Sequence, residues 1–114
     1  MRAAQIRTDG TIVSVDLNGL EGMQQAVGGY LEAVSGNGWH AYVNEEGIIR
    51  GRRPNPVACD ILGRRGLVGD VIIFGGIDED GQEISLTDED LGQLLVRQAR
   101  QSVIDYFHNS RRGT

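Results

Sequence analysis

Apolar residues alternate with polar ones in two stretches near the start of the chain, Ala3 to Thr8 and Thr11 to Leu17, on either side of Asp9-Gly10. Strict alternation places one set of side chains on one face of a strand, and Asp-Gly supplies the positive φ of a tight turn. A first β-hairpin is predicted here, with Val13, Val15 and Leu17 on one face and Ser14 and Asp16 on the other. The period then changes. Leu20, Met23 and Val27 recur at helical spacing. Asn18 and Glu21 match a capping box, and Gly28-Gly29 is expected to stop the short helix.

Alternation resumes in Tyr30 to Val34 and Trp39 to Val43 around Gly36-Asn37-Gly38, a second hairpin. The turn-like Asn44 to Gly47 is expected to return Ile48 and Ile49 as a third arm, making a meander. Asn55-Pro56 starts a small helix, since Asn accepts from free amides and Pro suits the first helical position. Ala58, Ile61 and Leu62 share its inner face, and Gly63 ends it. Val68 to Phe74, rich in β-branched residues, is predicted to be a buried strand.

Thr87 and Asp90 form the capping box of a last helix over about 87 to 108. Leu91, Leu95, Ala99, Val103, Tyr106 and Phe107 cover nearly half of its circumference. A face that wide suggests contact with the sheet and with a second copy or partner, so Leu91, Leu95, Val103 and Phe107 are the candidate interaction face. The predicted class is α+β: a small antiparallel sheet, built from a hairpin and a meander, with a short helix, a helix of one to two turns and a long amphipathic C-terminal helix. Residues 1–108 form one domain and 109–114 a flexible tail. The short early connections exclude parallel crossovers.

Composition narrows the function. No apolar run approaches the length of a membrane span, and the N-terminus lacks the apolar core of a signal peptide, so a cytoplasmic location is expected. One cysteine, Cys59, excludes an intrachain disulfide and reads as a small buried hydrophobe. All 11 basic residues are arginine, which a GC-rich genome explains better than selection for anion contacts, since the chain also has 17 glycines. The net charge of −5 is segregated: residues 49–65 hold five arginines and one acid, and 66–96 hold eight acids and no base. An acidic chain is a poor partner for duplex DNA.

The candidate chemistry is therefore confined. Arg50, Arg52, Arg53, Arg64 and Arg65 bracket the helix begun at Asn55, as an anion or nucleic-acid site would. The simpler reading is solvated loops that pair with the acids of 78–90. Nothing aromatic is interleaved among them, which disfavours single-stranded nucleic acid. The acidic run from Asp78 fails the calcium-loop pattern, with Gln82 at position five and Glu83 where glycine is required, so no metal is expected. His40 and His108 belong to no catalytic motif, and VGGY and FGGI lack the Gly-Lys of a phosphate loop. No catalytic residue and no cofactor is predicted.

An ordered set of short motifs adds to this reading: TDG at 8–10, VGGYLEAV at 27–34, YVNEEG at 42–47, PN at 54–55, GDVIIFG at 69–75 and SLTDEDL at 85–91. With them the chain resembles domain-of-unknown-function family 3846, found in actinobacteria, their plasmids and their phages. The resemblance implies a small α+β domain of mobile-element origin and carries over no activity, ligand or catalytic residue. The expected function is a non-enzymatic interaction module of a phage or plasmid, binding a protein partner or itself inside the bacterial cell. A nucleic-acid or phosphate binder using the arginine loop is the alternative.

Overall fold

The computed structural model describes the backbone of residues 1–112 and the side chains of residues 1–100. Five strands form one antiparallel sheet: β1 (Arg2–Ile6), β2 (Ile12–Asp16), β3 (Leu31–Gly36), β4 (Trp39–Asn44) and β5 (Val71–Phe74). They stand in the order β2-β1-β5-β4-β3. The helices are α1 (Gly19–Val27), α2 (Pro56–Leu62) and α3 (Asp88–Arg112), and a second, two-stranded sheet pairs β6 (Gly76–Ile77) with β7 (Glu83–Ile84). The α+β class predicted from the sequence is the one observed. Among the described residues, no helix is long and apolar enough to cross a membrane.

The two hairpins form where turn chemistry places them, with Ile6 opposite Ile12 and Gly36 opposite Trp39. The meander does not. Residues Glu45 to Gly51 make a compact turn closed by the Arg50 N–H to Glu46, Gly51 N–H to Ile48 and Arg52 N–H to Gly47 bonds. The free edge of β4 that a third arm needs is taken by β5, paired His40 to Phe74 and Tyr42 to Ile72. On its other side β5 pairs with β1. All four of its side chains are therefore covered, and the run Val-Ile-Ile-Phe is apolar without alternation because both faces of the sheet are packed.

α1 covers one face, where Met23 and Val27 meet Ala3, Ile72 and Phe74. α2 and α3 cover the other, where Val57, Ala58, Ile61, Leu62 and Leu94 meet Ala4, Ile6, Ala41, Val43 and Ile73. Asn18 does not cap α1 with its side chain. Gly19, the first helical residue, has φ of 71°, so the turn begins outside the geometry in which a capping residue reaches the next amides. By contrast, the Asn55 side chain does accept from the Ala58 N–H, and Thr87 and Asp90 exchange both bonds of a capping box.

α3 is longer than predicted, and its inner face is differently placed. Leu94 is fully buried and Leu91 packs partly against the core, whereas Leu95, Val96 and Ala99 are exposed. Leu91 and Leu94, three apart, share the stripe that meets the sheet. The helix is tied at its start by Arg2, whose Nε donates to the Leu86 carbonyl and whose guanidinium pairs with Asp88 at 2.8 Å. Farther along, Arg97 pairs with Asp60 of α2 at 3.2 Å. The side chains of Val103 and Phe107 lie outside the described residues.

Candidate functional site

The loop between β4 and α2 leads to a polar cleft. It is anchored by the Gly47 carbonyl accepting from Arg52 and by the Arg53 carbonyl accepting from the Gly69 N–H at 2.7 Å, with Gly51 in the left-handed region between them. The cleft has a volume of about 510 Å³ and is lined by Arg50, Arg52 and Arg53, with Gln5 and Thr8 of the first hairpin, Gln25 to Val27 of α1 and its cap Gly28, and Gly69-Asp70. Arg50 pairs with Glu46 through Nε at 2.9 Å. Among the described residues, Arg52 and Arg53 have no carboxylate within ion-pair distance. The acids at 78–90 are thus not their partners; in that stretch Asp88 pairs with Arg2. Arg64 and Arg65 follow the left-handed Gly63 at the far end of α2 and do not line the cleft. The bracket read from the sequence is therefore two separate groups.

A second cleft, of about 660 Å³, opens on the α1 side of the sheet. Its walls are apolar, from Leu17, Leu20, Met23, Leu31 and Phe74, and Tyr42 and Glu83 sit among them. The Tyr42 hydroxyl donates to Glu83 Oε1 at 2.5 Å. Burial and that bond to Glu83 push the Tyr42 hydroxyl up to about 12, and the same bond holds the Glu83 carboxyl below its usual range. The His40 ring meets Tyr42 edge-on at 4.9 Å, and its buried Nε2 has no hydrogen-bond partner among the described residues. Both shifts move the pair away from neutrality, so it is a fixed hydrogen bond and not a proton shuttle near pH 7. Sequence reading missed it: 41 positions separate the two residues, and no local motif marks either.

The pair makes a pH prediction. Because the folded state favours the neutral phenol, its contribution is whole below the unfolded value of 10 and is lost as pH rises towards about 12. The ultraviolet tyrosinate titration of the wild type, minus that of Tyr42→Phe, is expected to have its midpoint near that higher value. A difference curve centred at 10 would mean that the hydroxyl is solvated and the bond to Glu83 absent.

Two adjacent apolar side chains stand outside both clefts. Ile48 is 76% and Ile49 is 88% exposed, at the tip of the turn that precedes the arginines. They flank a smaller hollow, of about 190 Å³, with Glu32, Val43 and Leu67. Cys59 is half-buried, with Sγ 3.9 Å from the Leu67 carbonyl, as a small packing residue would be.

Comparison with known proteins gives one match. The model of a domain of unknown function, DUF3846, matches residues 1–99. No curated protein and no solved structure matches the chain.

Proposed function

We propose that this chain, which belongs to the DUF3846 family, is a non-enzymatic interaction module that docks a protein partner on the turn of residues 45–51. The observation that carries this reading is the exposure of Ile48 and Ile49. Two neighbouring branched apolar side chains this bare are costly to solvate, and their turn is held rigid by three backbone bonds. Arg50 and Glu46 lie beside them as a polar rim. Rigid apolar anchors ringed by polar groups are the usual make-up of an interface core, and little entropy is lost on docking. The resemblance to phage and plasmid proteins supports an accessory role inside a bacterial cell.

A photo-crosslinking residue placed at 49 in cells tests this directly, with one at the exposed Ser14 as control. Discrete adducts at 49, absent at 14 and competed away by excess unlabelled wild type but not by Ile48→Ser/Ile49→Ser, are the expected result. The same double variant should keep its Tm within a few degrees, since surface substitutions shift stability by only about 0.5 kcal/mol. Equal labelling at both positions would remove the turn as a docking surface.

A further inference from the structure

We propose that the cleft lined by Arg50, Arg52 and Arg53 is a binding site for the phosphate group of a small hydroxylated molecule. The cleft adjoins the isoleucine turn and shares Arg50 with its rim, but Arg52 and Arg53 lie outside that turn, and the inference does not depend on docking there. Its basis is the unused donors of Arg52 and Arg53 in a concave place. Three arginines and one acidic residue, Asp70, line the cleft. Asp70 already accepts from the Thr8 N–H through Oδ1, and the Arg52 and Arg53 side chains make no hydrogen bond or ion pair among the described residues.

Attraction to the C-terminal end of α1 would be one reason for Arg52 to lie there, since a Cβ on Gly28 would stand 3.1 Å from its Nη2. Three of the last four carbonyls at that end are, however, already occupied. Gln24 accepts from the Gly28 and Gly29 amides, Ala26 from Gln5 Nε2 at 2.9 Å, and Val27 from Asn44 Nδ2 at 3.3 Å. The helix end therefore holds the arginine in place without using its donors. With the backbone at 52 and 53 fixed to Gly47 and Gly69, the forks stay free to grip an oxyanion in bidentate fashion.

The cleft also limits the ligand. Its volume of about 510 Å³ suits a small molecule. Its lining has no aromatic side chain on which a base could stack. Arg64 and Arg65 do not extend it into a basic track, and a chain of net charge −5 gains little from a long polyanion. Gln25, Thr8 and Asp70 supply donors and acceptors for hydroxyl groups beside the phosphate.

Isothermal titration calorimetry of the full chain with ribose 5-phosphate, with ribose as neutral control, tests the site. Ribose 5-phosphate is expected to bind and ribose not. Arg52→Gln/Arg53→Gln is expected to weaken binding at least about tenfold, the loss of roughly one charge-assisted contact. Arg64→Gln/Arg65→Gln and Ile48→Ser/Ile49→Ser should bind as the wild type does. Circular dichroism, together with the single variants Arg52→Lys and Arg53→Gln, separates loss of binding from loss of fold. No heat with the wild type at about 10 mM ligand, a weakness shown by any phosphate–protein pair with Kd well above the millimolar range, would overturn the proposal. So would equal losses in the two arginine pairs, or binding of ribose alone.

Discussion

Gly36→Ala will unfold this protein or leave it barely stable. A Cβ at that position would stand 1.8 Å from the carbonyl oxygen of Leu62 and 2.9 Å from its carbon, both backbone atoms. The last turn of α2 cannot retreat easily, because Gly63 closes it in the left-handed conformation and Asn37 Nδ2 holds the Ile61 carbonyl at 3.0 Å. Overpacking commonly costs 1–3 kcal/mol, and a clash between two backbones lies above that range, so a loss of more than about 3 kcal/mol is expected in urea denaturation. Gly38→Ala is the control. It has φ of 84° but open space around it, so it carries the conformational cost alone, about 1 kcal/mol. Similar losses at the two positions would mean that α2 does not press on the hairpin.

Asn55→Ala is expected to cost about 4 kcal/mol. The side chain is wholly buried and uses every group that points inward. Nδ2 donates to the carbonyls of Ile6 and Gly69, each at 2.9 Å, and Oδ1 accepts from the Ala58 N–H at 3.1 Å. Truncation removes a helix cap, about 1 kcal/mol, and takes the Asn55 donor from two buried carbonyls, about 1–3 kcal/mol each. Asn55→Asp separates the two roles. The carboxylate keeps the cap but faces two carbonyls, which favour its neutral, donating form and raise its pKa. That variant should be more stable near pH 4 than near pH 7, losing stability as pH rises. Denaturation midpoints at the two pH values measure the difference, and a flat response would show that the donor side of Asn55 contributes little.

These two residues also explain what could be read from the sequence. Asn55-Pro56, Asp9-Gly10 and Thr87–Asp90 act within a few positions of themselves, so their turns and caps could be named residue by residue. The same locality makes the family motifs structural. Asn44, from YVNEEG, and Asn55, from PN, are the two buried polar residues among those described, and both bind backbone carbonyls. The order of the sheet could not be read, because a run such as Val71–Phe74 does not say which strands it joins. Ile48 and Ile49 resemble a strand in composition, and only the insertion of β5 beside β4 denies them that place. In α3, three successive apolar residues, Leu94, Leu95 and Val96, leave the angle of the inner face open, and packing chose Leu94. Of the five bracketing arginines, three share a cleft because α2 carries the other two away.

The strand order has a consequence for how the chain is made. Each hairpin can close as soon as it leaves the ribosome, but the strand that joins them, β5, arrives last of the five. Between synthesis of Asn44 and of Phe74, the inner edges of β1 and β4 stand open side by side, with their amides and carbonyls unpaired. At about 5–20 residues per second that window lasts on the order of 2 to 6 s, long compared with the microseconds in which a hairpin forms. The nascent protein thus passes through a stage with two sticky seams, and any stall in translation within that interval prolongs its exposure to aggregation and to chaperones.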